Sequence, residues 1–238
     1  LSEGSHHDHP MESWRLQNLA YRKHESWIFA KSFIEYFDTE PAPIGEIVGI
    51  ARHNAKEPDY FYIQGSLDQH KPLNNVSFTL LPDNRVFQGD TMNNGFFMFD
   101  SLPPGDYQVV YEHEDFFTDT LNVSVQANTT SFADNYLYYD TTKTPVVTDF
   151  WPGDEVDSVH SMDPIILTFS EPMDSASVVA ALGGEPGITG TVGWENEHHK
   201  MIFTPTEPYA RAQDYTITLA ASAMQKWGVP LAGDFTLH

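Results

Sequence analysis

From Gly45 onward, apolar residues recur at every second position in short runs, and a turn signal separates each run from the next. Val76, Phe78 and Leu80 form one such run, Phe97 and Phe99 another, and Leu121, Val123 and Val125 a third. Successive side chains of a strand point to opposite faces, so a period of two puts one face in a core and the other in solvent. Pro82-Asp83-Asn84, Asn93-Asn94-Gly95 and Pro103-Pro104-Gly105-Asp106 lie between the runs. Their residue types suit turns, and an Asn-Gly pair is a hairpin signal because Gly95 accepts a positive φ. A chain punctuated this way folds into short paired strands.

Ile47-Val48-Gly49-Ile50, Phe61-Tyr62-Ile63, Tyr107 to Tyr111 and Tyr136 to Tyr139 also read as strands. Their spacing predicts a sandwich of about seven strands over residues 45–140. Asp140-Thr141-Thr142-Lys143-Thr144-Pro145 reads as a polar linker into a second β block over 141–238. Its strands are Val146-Val147, Ile165 to Phe169, Thr189 to Trp194, Met201 to Phe203 and Tyr215 to Leu219. Phe235 to His238 is a final strand, and Asp174 to Leu182 a short helix crossing between sheets. A length of 238 residues holds two such modules with room to spare.

Residues 11–37 are different. Trp27, Ala30, Ile34 and Phe37 repeat at helical spacing, and Ile28 and Phe33 widen the stripe. The pattern predicts a short helix around Met11–Leu19 and a longer one from Tyr21 to Phe37, stopped by Pro41 and Pro43. So wide an apolar face needs a cover, and no later segment presents itself as one. Residues 1–44 are therefore expected to be helical but poorly anchored.

Composition narrows the partners. Twelve basic residues against 34 acidic ones leave a formal charge of −22. Phosphate backbones and anionic lipid surfaces both require Lys and Arg, so neither is an expected partner. There is no cysteine, which removes disulfides and thiol chemistry. No apolar run reaches the ~18–20 residues of a membrane span. A monomer is expected. The opening Leu1-Ser2-Glu3-Gly4 reads as mid-domain text, so the chain is expected to be part of something longer.

Three stretches resemble known families. Pro72-Leu73-Asn74-Asn75-Val76-Ser77-Phe78-Thr79-Leu80, followed by Gly95-Phe96-Phe97-Met98-Phe99-Asp100-Ser101-Leu102-Pro103-Pro104-Gly105-Asp106-Tyr107, is similar to the carboxypeptidase-regulatory-like, or transthyretin-like, sandwich. That resemblance implies a non-catalytic accessory module with Phe97 and Phe99 in the core. Ile166-Leu167-Thr168-Phe169-Ser170-Glu171-Pro172-Met173-Asp174, with Phe203-Thr204-Pro205 and Tyr215-Thr216-Ile217, resembles the bacterial Ig-like domain of surface-layer proteins. It implies a structural spacer. The fold class expected is therefore mainly β: two tandem β-sandwiches, transthyretin-like then Ig-like, preceded by two helices from a truncated α/β domain.

The third resemblance lies at the start. Leu1-Ser2-Glu3-Gly4-Ser5-His6-His7-Asp8, then Tyr21-Arg22 and a helix ending Ile34-Glu35-Tyr36-Phe37, is similar to the C-terminal end of zinc-dependent N-acetylmuramoyl-L-alanine amidases. The resemblance implies that Glu3 matches the catalytic glutamate, which assists a zinc-bound water in attacking an amide of peptidoglycan. It also implies a zinc cofactor whose ligands lie upstream of this region. Gly4 to Asp8 departs from the family's pattern. Residues 1–44 would then close an amidase-like domain, and the two sandwiches would space or anchor it on peptidoglycan or another polysaccharide, outside a bacterial cell or in its envelope. The alternative is a non-enzymatic surface adhesion or carbohydrate-binding protein.

Smaller signals accompany these. Ser5-His6-His7-Asp8-His9 is either a metal loop or a polar lead-in to a helix, and the polar loop is the expectation. Asp154-Glu155-Val156-Asp157 lacks the spacing of a calcium loop and reads as a solvated turn. Asn75-Val76-Ser77, Asn122-Val123-Ser124 and Asn128-Thr129-Thr130 match a glycosylation acceptor too short to weigh in a bacterial protein. Tyr136, Tyr138, Tyr139 and Trp227 are expected in packing rather than on sugars.

Overall fold

The computed structural model describes residues 8–37, 40, 43–156 and 159–238. The protein is mainly β, with two tandem sandwiches preceded by two helices. Two compact units divide it, Leu1–Asp140 and Thr141–His238.

The first unit begins with α1 (Pro10–Gln17) and α2 (Leu19–Tyr36). Pro10 stands in the first turn of α1, where its missing N–H breaks no helical bond. Asn18 separates the helices and caps the second. Its backbone is extended, and its side-chain oxygen accepts from the N–H groups of Ala20 at 2.8 Å and Tyr21 at 3.1 Å.

Eight described strands follow: β1 (Gly45–His53), β2 (Ser77–Leu81), β3 (Arg85–Gln88), β4 (Phe96–Leu102), β5 (Gly105–His113), β6 (Phe116–Val125), β7 (Thr130–Phe132) and β8 (Asn135–Leu137). One sheet runs β4-β1-β7, with β8 also pairing β1, and the other runs β3-β2-β5-β6. The Phe78 and Phe97 rings stack between them at 4.1 Å, and Tyr111 meets both edge-on. Ile47, Leu80, Phe99 and Val109 complete this core. Phe97 and Phe99 thus share the buried face, as their alternation requires.

Three sequence expectations change. Phe61-Tyr62-Ile63 is a loop, with Phe61 and Ile63 well exposed. The connection from β1 to β2 is closed at its base by the Lys71 N–H on the Lys56 carbonyl, and residues 61–63 pair with neither sheet. Asn93-Asn94-Gly95 is not a hairpin, because β3 and β4 belong to different sheets and the turn carries the chain across. Gly95 still adopts a positive φ of 59°, and a Cβ there would lie 2.4 Å from the Ala51 carbonyl oxygen. The helices are not poorly anchored either. They have a partner in the sandwich itself.

β1 shows why. Its first eight positions are all buried, so both of its faces are covered. Ile47 and Ala51 face the sandwich core, while Val48 and Ile50 join Phe96 and Met98 of β4 in a second cluster against Ala20 and Tyr21 of α2. Gly49 lets the backbones close up: a Cβ there would sit 2.2 Å from the Ala133 carbonyl oxygen.

The second unit holds β9 (Val147–Trp151), β10 (Ile165–Phe169), α3 (Ser175–Ala181), β11 (Leu182–Glu185), β12 (Gly190–Glu195), β13 (Lys200–Pro205), β14 (Thr216–Leu219) and β15 (Phe235–Leu237). Its sheets run β12-β13-β10-β9 and β11-β14-β15. Helix α3 carries the chain from one to the other, capped by the Asp174 carboxylate, which accepts the Ser177 N–H at 2.8 Å. Ile165, Leu167, Phe169, Met201, Phe203, Ile217 and Leu219 fill the space between the sheets. β10 alternates buried and half-buried positions, the signature of a strand with a single covered face.

Candidate functional site

Two places concentrate chemistry-bearing side chains, one in each unit. In the first, polar ties fasten the helices to the sandwich. His24 Nδ1 lies 2.7 Å from Glu46 Oε1, with both side chains buried. The Thr130 hydroxyl donates to the same Glu46 oxygen at 2.7 Å. Tyr21 meets Phe96 edge-on at 5.2 Å beside this pair. Arg15 of α1 reaches Asp68 at 3.0 Å, and Asn18 Nδ2 donates to Asp90 at 2.8 Å. Met11 is fully buried and accepts from the Tyr60 hydroxyl. Burial, with Asp68 adding, pushes the Tyr60 hydroxyl up to about 12. Buried Arg52 bonds Asp134 at 3.1 Å inside the same unit. Each of these groups has a partner, and the pairings hold the first unit together.

Glu3, His6 and His7 lie outside the described residues. His9 sits at the entrance of α1, with its ring 6.1 Å from Tyr60. Among the described residues no group of three or more His, Cys, Asp or Glu side chains is placed to hold a metal ion. They do not supply a zinc site, and no zinc-dependent step is assigned to them.

The second place is a cavity of about 780 Å³ at one end of the second sandwich. Described residues of the β9–β10 connection, the β13–β14 connection and the end of β15 line it, so both sheets contribute. Tyr209 and Tyr215 stand in its wall with ring centroids 5.3 Å apart. The Tyr215 hydroxyl accepts the Ala210 N–H at 3.0 Å, which fixes the second ring. The Tyr209 hydroxyl oxygen is buried without a hydrogen-bond partner among the described residues. Burial raises the Tyr209 pKa, with Tyr215 and then Asp163 adding to it. His160 and Asp163 pair at 3.4 Å on the rim. Sequence reasoning misses this cavity: Tyr215 reads only as a strand residue, and Tyr209 and Arg211 meet His160 and Asp163 only through the fold.

Some of the other expected positions resolve into packing. Asp154 accepts the His238 N–H at 2.8 Å and so fastens the end of β15. Tyr136 packs on His70 and Tyr139 on Phe116. Lys226 lies over Trp227, but Trp227 and Tyr138 are 42% and 61% exposed, so neither takes the buried packing place expected of it. A shallower cavity of about 610 Å³ lies over the outer face of β5 and β6, where Gln108 donates to Asn122.

Residues 141–238 match the family described as bacterial Ig-like domain. The Ig-like match covers the whole of the second unit and none of the first. No curated protein matches the chain. Solved structures similar to it include the Bacillus anthracis TIE protein, at 13% identity and a TM-score of 0.32; that alignment covers 82% of this chain and 31% of the other. A DUF3823 family protein from Bacteroides ovatus aligns at 12% identity and a TM-score of 0.29, over 82% of this chain and 98% of its own. A proposed carbohydrate-binding protein from Bacteroides uniformis aligns at 10% identity and a TM-score of 0.29, over 82% and 99%. Likenesses at this level identify neither a shared topology nor a shared ligand.

Proposed function

We propose that this chain is the non-catalytic accessory region of a secreted bacterial envelope protein, in which the helices and sandwiches hold a neighbouring catalytic domain at the cell wall. One observation carries the reading: α2 has two apolar faces, and the sandwich uses only one. Ala20, Tyr21 and His24 dock on β1 and β4. Further along, Phe33 is 62% exposed, Tyr36 81% and Phe37 66%. An apolar face of that size on a helix otherwise fixed in place is the surface a second domain would cover. The domain class suggested by the resemblance around Glu3, Tyr21-Arg22 and Ile34-Glu35-Tyr36-Phe37 is the zinc-dependent N-acetylmuramoyl-L-alanine amidase. The Ig-like match agrees with a spacer at a bacterial surface, and no helix among the described residues is long and apolar enough to cross a membrane.

The purified chain, assayed on peptidoglycan with added zinc, is expected to release no stem peptides. Hydrolysis that disappears in Glu3→Ala would overturn the accessory reading.

A further inference from the structure

We infer that the end cavity of the second unit is a binding site for a neutral saccharide, seated against Tyr209 and Tyr215 and hydrogen-bonded by the Tyr209 hydroxyl and Arg211. The inference deepens the accessory reading, on which it rests, by naming what the Ig-like unit holds.

The size is right for a small-ligand site. About 780 Å³ falls inside the ~300–1,000 Å³ range of such sites. Its wall is mixed. Val156, Val159 and Ile217 provide apolar surface, and the two tyrosines provide rings with an apolar body and a polar tip. Sugars present the matching mixture, C–H faces that pack on rings and hydroxyls that both donate and accept.

One buried polar group in the wall lacks a partner among the described residues. The Tyr209 oxygen is buried with no hydrogen bond among the described residues, and a buried polar atom in that state costs stability unless something pairs with it. Arg211 lines the same cavity with no ion pair among the described residues, in a chain where 34 carboxylates face 12 cations. Arg211 is exposed and adds a guanidinium to the residues that line the cavity.

Charge decides the class of saccharide. Among the described residues Arg211 is the one permanent cation lining the cavity, against the carboxylates Glu155, Asp163 and Asp214. The local balance is thus negative, as is the whole chain at −22. Uronate and phosphate polymers are repelled at long range and find a single guanidinium on arrival. A neutral sugar pays neither penalty. Its hydroxyls accept from Arg211 and Tyr209 and donate to Asp163 and Asp214.

The test uses the full chain in affinity electrophoresis and calorimetric titration. Its probes are an N-acetylglucosamine oligomer, a neutral glucan, polygalacturonate and a lysine-rich peptide. Retention by a neutral saccharide is expected, with no shift in polygalacturonate. Tyr209→Ala should weaken binding by about tenfold or more, as removal of a central aromatic anchor does. Tyr209→Phe keeps the ring and Arg211→Ala changes only an exposed side chain, so both should stay folded and still weaken binding about three- to tenfold. Neutral-saccharide binding that survives Tyr209→Phe and Arg211→Ala unchanged would overturn the cavity assignment and leave the accessory reading standing. Binding only of polygalacturonate or of the lysine-rich peptide, or of no probe, would overturn it as well. Peptidoglycan hydrolysis by the same sample would instead overturn the accessory reading.

Discussion

The two units are built alike and finished differently. Each is a pair of facing sheets around an aromatic and aliphatic core. In the first, a helix lies on the outside of β1, and β1 is buried at eight consecutive positions. In the second, β10 keeps its alternation because no helix covers its outer face to the same degree. Burial pattern therefore follows the number of covered faces, and the same local strand geometry yields continuous burial or alternation. The added layer also changes the polar chemistry. The first unit buries a His–Glu pair that ties α2 to β1, and an arginine paired with Asp134 within the sandwich, whereas the side chains of Tyr209 and Arg211 in the second unit line a cavity with no polar partner among the described residues.

The comparison breaks most readily at the core. Phe97→Ala removes half of the central ring stack and is expected to cost about 3–5 kcal/mol. Scanning calorimetry should show the first unit melting earlier while the Ig-like unit keeps its transition. A single shifted transition would show that the units do not unfold separately. The helix layer is tested by His24→Ala, which leaves Glu46 buried with only Thr130 and should cost about 2–3 kcal/mol. Amide exchange is expected to accelerate across residues 19–36 while β2 and β5 stay protected. Unchanged protection would mean that apolar contact alone anchors α2.

In the second unit Asp174→Ala deletes the cap of α3 and should cost about 1 kcal/mol by chemical denaturation. The smallest effect is expected from alkali. An unfolded tyrosine ionises near 10, and folded Tyr60 near 12. The folded state holds that proton more tightly, so its contribution is complete below pH 10 and is lost as pH rises through 12. Ultraviolet titration should find several tyrosines of the first unit ionising late, since burial raises Tyr107 and Tyr111 as well, and Tyr60→Phe should remove one tyrosine from the step near pH 12.

Much of the fold was legible in residue pattern. Val76 to Leu80, Phe97 to Phe99 and Leu121 to Val125 alternate because one face of each is buried, and they are strands. Phe61-Tyr62-Ile63 has the same composition and is a loop, because a strand also needs a partner for its backbone and none lies beside it. The stripe on α2 was visible, yet its docked side runs through Tyr21 and His24 rather than through Phe37. A buried histidine looks like any exposed one until its carboxylate partner, 22 residues on, is placed opposite.

The sequence by itself determined the class of the molecule: short alternating strands with turn residues between them, two blocks of them, an Ig-like second block and a helical start. These follow from local rules, the period of side-chain direction and the backbone angles that glycine, proline and asparagine allow. Only the tertiary structure decided that the helices belong against β1 and β4, that His24 meets Glu46, and that Tyr209, Arg211 and Asp163 share one cavity. Those pairings join residues far apart in the chain. They are set by which surfaces remain uncovered once each sheet has formed, and no local pattern encodes them.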